Sequence, residues 1–125
     1  MPAQRPEETD ILVMQAINAG DVEAAVALYE PNACFVAGPN TVLQGTEAIR
    51  GAFRDMMAGQ PSGTIRVPEV VQSGDLALLL SEWTVTSTGA DGTRTTSSGR
   101  GREVVRRQPD GTWKFVIDHP TGGGS

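Results

Sequence analysis

Residues 99–120 read GRGREVVRRQPDGTWKFVIDHP, and the register of this stretch decides the fold. Two strand-like runs flank Pro109-Asp110-Gly111. Proline there presets a type I turn, and glycine supplies the left-handed bulge position. A three-residue loop sets Gln108 opposite Thr112. Arg107 then opposes Trp113, Val105 opposes Phe115, Glu103 opposes Ile117, and Gly101 opposes His119. On the other face Arg106 meets Lys114, Val104 meets Val116, and Arg102 meets Asp118. The Ala90-Asp91-Gly92 loop, treated the same way, sets Leu79 opposite Glu103, Ser81 opposite Gly101, Trp83 opposite Gly99, and Glu82 opposite Arg100. Side chains alternate along a strand, so this register assigns faces. One face collects Leu79, Trp83, Val85, Val105, Trp113, Phe115, Ile117 and His119. The other pairs Glu82 with Arg100 and Arg102 with Asp118. The facing like charges of Arg106 and Lys114 count against this register.

Working outward, the second half of the chain reads as four strands over 64–72, 76–88, 93–108 and 112–119, separated by Gly-containing breaks. The first half reads as helices. A helix-compatible stretch runs over 7–19, its early acids suited to the positive end of the helix dipole. Gly20 suits a left-handed cap, and Asp21 the N-cap of a second helix carrying Val22, Ala25, Val26, Leu28 and Tyr29 up to Pro31. Cys34-Phe35-Val36-Ala37 is a short strand that turns at Gly38-Pro39-Asn40 and returns over 41–43. Thr46 caps a third helix whose stripe is Ala48, Ile49, Ala52, Phe53, Met56 and Met57. Helices followed by a meander with one apolar face predict an α+β layer of three helices on a curved antiparallel sheet.

The chain has 125 residues, the length of a single domain over 1–125, with a core of about 7–121 and a mobile end at 121–125. It is 38% hydrophobic, enough to bury a core, and carries a formal charge of -5. That acidity argues against nucleic acid or an anionic membrane as a partner. One cysteine, Cys34, excludes an intrachain disulfide and fits a reducing cytoplasm; one histidine, His119, excludes poly-histidine metal sites. No apolar run suits a membrane span, and the start has no apolar leader.

The Asn18-Ala19-Gly20-Asp21 link, the Pro31-Asn32-Ala33-Cys34-Phe35-Val36 strand, the Gln44-Gly45-Thr46-Glu47-Ala48-Ile49 helix entry and the Asp110-to-Pro120 ending together resemble one group. It is the SnoaL-like, ketosteroid-isomerase-related (DUF4440-type) branch of the nuclear transport factor 2-like (NTF2-like) superfamily. The resemblance implies a cone-shaped fold, a curved sheet wrapped around a helix, and a homodimer through the sheet's convex face. Steroid isomerases of that superfamily place a general-base aspartate just after the first strand. Phe35-Val36-Ala37-Gly38 carries no carboxylate, and the only tyrosine, Tyr29, falls in the second helix.

His119 and Glu103 are the catalytic candidates. Histidine is the side chain whose unperturbed pKa lies near neutrality, and a diagonal carboxylate orients an imidazole as general base. The plainer alternatives are a His119 that caps the strand end and a solvated Glu103. Tyr29, Phe53, Met57, Trp83 and Gly101 are the candidate substrate-binding residues, with Gly101 leaving room for ligand opposite His119. Asp118 reads first as the ion-pair partner of Arg102, and whether Asp118 or His119 faces the cavity stays open. No cofactor or metal is called for. Two functions remain open: a cofactor-independent isomerase, dehydratase or hydrolase acting by acid/base chemistry on a small hydrophobic molecule, or a ligand-binding or dimerisation module without chemistry.

Overall fold

The computed structural model describes residues 2–124. The N-terminal half supplies helix α1 (Glu8–Ala19), helix α2 (Val22–Val26), strands β1 (Tyr29–Gly38) and β2 (Thr41–Gln44), and helix α3 (Thr46–Ala58). The C-terminal half is the meander β3 (Ser62–Ser73), β4 (Leu76–Thr88), β5 (Arg94–Arg107) and β6 (Trp113–His119). The six strands form one sheet in the order β2-β1-β6-β5-β4-β3. All neighbours are antiparallel except β1 and β6, which run parallel. The helices cover one face. None is long and apolar enough to cross a membrane.

Local chemistry explains the helix ends. Gly20 takes the left-handed conformation at φ 67, and Asp21 caps α2 by accepting from the Ala24 N–H at 3.0 Å. The expected cap at Thr46 is corrected: Gly45 is the N-cap, and Thr46 is the first helical residue. The second helix is also shorter than expected. It ends at Val26, and Tyr29 opens β1 instead of closing the helix. Proline disfavours helical conformation in the residue before it, and Pro31 cannot donate to a ladder. It falls where the β1–β6 pairing is irregular, between Tyr29 opposite Phe115 and Cys34 opposite Ile117.

The β4–β5 register is as read from the Ala90-Asp91-Gly92 turn: Leu79 faces Glu103, Ser81 faces Gly101, and Trp83 faces Gly99. The β5–β6 register holds only near its turn, with Arg107 opposite Trp113, Arg106 opposite Lys114 and Val105 opposite Phe115. Val104 then pairs with Ile117, so Val116 is an extra residue in β6, a β-bulge. Beyond it every side chain is on the other face from that expected. Glu103 pairs with Asp118 and Arg102 with His119. The expected Arg102–Asp118 ion pair is therefore corrected, as is the inward placement of Ile117, which is 41% exposed. The like-charged Arg106–Lys114 pair is tolerated because the Arg106 Nε donates to Glu30 Oε2 at 3.0 Å.

The core lies between the helices and the concave sheet face. Phe115, Leu79, Val105 and Ile49 are fully buried, and Phe53 almost so. The ring of Tyr29 stacks on Phe115 at 4.7 Å between centroids, and Phe53 sits edge-on to Phe35 at 6.0 Å. At the other end of the chain, Gly122 N–H donates to the His119 carbonyl at 3.0 Å and Gly123 N–H to the Arg100 carbonyl at 2.9 Å. Ser125, the last residue of the expected mobile end, lies outside the described residues.

Candidate functional site

A cavity of about 270 Å³ opens between α1, α3 and the concave sheet face. Its walls are apolar, with Phe35, Phe53, Trp83, Met14 and Met56 among them. Its polar end is built by four elements. Helix α1 brings Asp10, β1 brings Tyr29, β5 brings Glu103, and β6 brings Asp118. Asp10 reaches the cavity because it precedes Val13, Met14 and Ile17 by three, four and seven residues, the inner stripe of α1. Asp118 reaches it because the Val116 bulge turns it inward, beside Glu103.

The three carboxyl groups are 2%, 2% and 7% exposed, in the order Asp10, Glu103, Asp118. The Tyr29 hydroxyl donates to Asp118 Oδ2. Ser81 Oγ donates to Glu103 Oε2 at 3.0 Å. Asp10 Oδ2 and Glu103 Oε1 receive no donor from any other described side chain or backbone group. A proton on Glu103, donated to Asp10, satisfies both oxygens.

The electrostatics follow from burial. Leaving water penalises the charged form, so all three carboxyls hold protons more tightly than usual. Burial raises Asp118 to about 7, against the pull of the Tyr29 hydrogen bond and helped by the charge of Asp10. Burial raises Asp10 to about 6, against the hydrogen bond from Glu103. Glu103 is pushed far above the carboxylate range by burial, by its bond to Asp10 and by the nearby negative charges. Tyr29 is raised well above 10 by burial and by Asp118. At neutral pH the cluster holds one firmly protonated acid and one carboxyl titrating near neutrality. Such a pairing is suited to moving protons.

The candidate residues divide accordingly. Glu103, Tyr29, Phe53 and Trp83 line the cavity. His119 does not. It shares the outer side of the sheet with Arg102, its Nδ1 is buried without a partner, and Gly122 packs on its ring. A Cβ on Gly122 would lie 2.6 Å from the His119 Cγ. Met57 is displaced from the lining by its neighbour Met56, since adjacent helical residues point in different directions. Gly101 leaves room for protein, not ligand. A Cβ there would overlap Glu103 Oε2 and stand 2.5 Å from Ser81 Oγ. Gly101→Ala is therefore expected to displace the Ser81–Glu103 pair and to lower stability by ~1–3 kcal/mol, read from a urea midpoint. An unchanged midpoint would show that the pair has slack.

Of the two alternatives at the end of β6, Asp118 is the residue that faces the cavity, and Asp10 joins it without having been among the candidates. Asp10 had a legible signal, a carboxylate on the apolar stripe of a helix. Among the described residues, no group of three or more His, Cys, Asp or Glu side chains is placed to hold a metal ion.

The model of the SnoaL-like domain matches residues 12–116. The chain belongs to the SnoaL-like domain family. Solved structures agree at the level of fold. A ketosteroid isomerase-like protein from Erwinia carotovora atroseptica has a TM-score of 0.80 at 22% identity, over 90% of this chain and 88% of that one. An NTF2-like superfamily protein from Salmonella enterica serovar Typhimurium gives 0.79 at 20% identity, over 95% and 89%. A candidate dehydratase of the NTF2-like family from Streptomyces avermitilis gives 0.75 at 20% identity, over 90% of each chain. Among curated proteins none matches this chain significantly. The SnoaL-like cone thus accounts for the scaffold, and the reaction must be argued from the carboxyl cluster.

Proposed function

We propose that this SnoaL-like protein binds a small hydrophobic organic molecule in its cone and moves a proton on it by acid/base chemistry, with no cofactor taking part. The observation that carries this reading is the inward-facing Asp118, held by the Tyr29 hydroxyl at the polar end of an otherwise apolar cavity. Tyr29 occupies Oδ2, which leaves Oδ1 for a substrate proton. In the forward step a substrate C–H bond breaks, its proton passes to the Asp118 carboxylate, and the electron pair stays on the substrate. The neutral Glu103 acid stands opposite Asp118 across the β5–β6 pair, at the end of the cavity where that charge collects. Returning the proton from Asp118 to another carbon completes an isomerisation. Returning it to a departing oxygen completes a dehydration.

A carbon acid that fits an apolar cone tests the idea. For 2-tetralone in D2O near neutral pH, the protein is expected to accelerate exchange of the α-protons, followed by NMR. Exchange no faster than with an equal concentration of free carboxylate would count against catalysis and leave a binding module.

Two further parts of the reading concern the protein's setting. Val71, Leu78, Val104 and Ile117 form one row across β3, β4, β5 and β6 on the outer face. Val71 is 54% exposed and Leu78 37%. We take this row as the contact between two copies, because exposed contiguous apolar surface marks interfaces. Light scattering at micromolar concentration is expected to give the mass of a dimer, and Leu78→Glu that of a monomer. A monomeric wild type would remove this part of the reading. The free Cys34 is compatible with the cytoplasm as compartment.

A further inference from the structure

The polar end of the cavity contains acids and no base. The charged or titratable groups facing it are Asp10 from α1, Tyr29 from β1, Glu103 from β5 and Asp118 from β6; the serines Ser81 and Ser87 of β4 and Ser97 of β5 also line the cavity. Among the described residues, no lysine, arginine or histidine belongs to the lining. A buried carboxylate without a cation is costly, and structures ordinarily supply one from a neighbouring arginine or lysine. Here the arginines lie elsewhere. Arg66 and Arg100 pair with Glu82 on the outer face, and Arg50 pairs with Glu23 and Glu47.

We propose that the substrate carries a protonated amine, seated against Asp10 Oδ2 and Glu103 Oε1, with its apolar body against Phe35, Phe53, Met14 and Trp83. The inference rests on the cavity reading above and names its substrate class. Three observations converge on it. The two oxygens are buried acceptors with no donor of their own apart from a shared proton. An ammonium donates charge-assisted hydrogen bonds to the Asp10 carboxylate and to the free Glu103 oxygen, while the Glu103 proton stays on the pair. The rings of Tyr29, Phe35 and Phe53 stand close together, at 5.7 to 6.4 Å between centroids, and aromatic faces attract cations. The formal charge of -5 on the whole chain favours the approach of a cation over that of an anion. The ammonium leaves Asp118 and Tyr29 free for the proton-transfer step, and its positive charge stabilises an anion formed beside it.

The test uses one bicyclic body with three polar groups. Binding of 2-aminotetralin, 2-tetralol and tetralin-2-carboxylate is measured by calorimetry at pH 5 and pH 8. The amine is expected to bind at least ~10-fold tighter than the alcohol at pH 8, the scale of a charge-assisted bond. Its advantage should shrink at pH 5, where Asp10 and Asp118 hold protons. The carboxylate should bind weakest. Asp10→Asn should remove the amine's advantage over the alcohol. An alcohol that binds as tightly as the amine at pH 8, or an Asp10→Asn protein that keeps the preference, overturns the inference and leaves the cavity reading standing. Failure of all three to bind overturns both.

Discussion

Asp118→Asn is expected to reduce proton transfer on a carbon acid such as 2-tetralone by ~10²–10⁴, the usual contribution of a positioned general acid or base. Asparagine has nearly the same shape and keeps an oxygen for the Tyr29 hydroxyl, so the fold should survive. What it lacks is a protonation state that changes near neutral pH. Far-UV circular dichroism and a melting curve check the fold, and exchange NMR reads the rate. Tyr29→Phe separates a chemical role from a structural one. Without its donor, the Asp118 carboxylate loses the interaction that favours its charged form, so the rising limb of the pH–rate profile should move to higher pH. An Asp118→Asn protein that folds and turns over at the wild-type rate would remove Asp118 from the chemistry. His119→Ala offers a contrast, because its ring packs under Gly122 away from the cavity. A lower melting temperature with exchange retained is the expected pattern.

The second large effect is on stability. Asp118 and Asp10 have folded-state values of about 7 and about 6, against 3.8 in the unfolded chain. Between those values the folded protein binds more protons than the unfolded one. Stability from this source is therefore fully present below about pH 4 and is lost as pH rises toward 7. Glu103, raised further, extends the loss to higher pH. Between pH 5 and pH 8 the two aspartates alone correspond to on the order of 4 kcal/mol. The exposed carboxyls Asp91 and Asp110 are shifted the other way by local hydrogen bonds and favour the folded state only above their own acidic range. The melting temperature should thus fall by roughly 15 °C from pH 5 to pH 8. Asp118→Asn should flatten the slope. A melting temperature that is level or rises over that range would mean that the cluster is hydrated and titrates like surface acids.

Much of this was legible in the sequence. The β4–β5 hairpin followed from the residue count around Ala90-Asp91-Gly92, and the α1–α2 corner from Gly20 and Asp21, because turn and cap chemistry is local. The Val116 bulge left no such mark. Phe115-Val116-Ile117 is three β-formers in a row, so alternation gives no sign of which one is extra. That single residue decides whether Asp118 or His119 faces inward, and hence the identity of the acid/base group. The one feature weighed against the register, Arg106 facing Lys114, proved correct because Glu30, distant in sequence, compensates it. The spacing of Tyr29 from Ala25 and Val26 suits a helix. Two residues later, Pro31 favours an extended chain, and the Leu28 carbonyl accepts from the Phe115 N–H at 2.8 Å, which draws the segment into the sheet. Glu103 is legible from the turn registers, but its partners Asp10 and Asp118 come from opposite ends of the chain and meet only through the tertiary fold.

The most direct measurement is a side-chain carboxyl titration by carbon-13 NMR of the Asp and Glu carboxyl carbons. One aspartate, assigned to Asp118 by its absence in Asp118→Asn, should titrate near pH 7. One glutamate, assigned through Glu103→Gln, should remain protonated at pH 7. If every carboxyl in the protein titrates between about pH 3 and pH 5, the ordinary range for exposed acids, the buried cluster does not exist as described and the proton-transfer account falls with it.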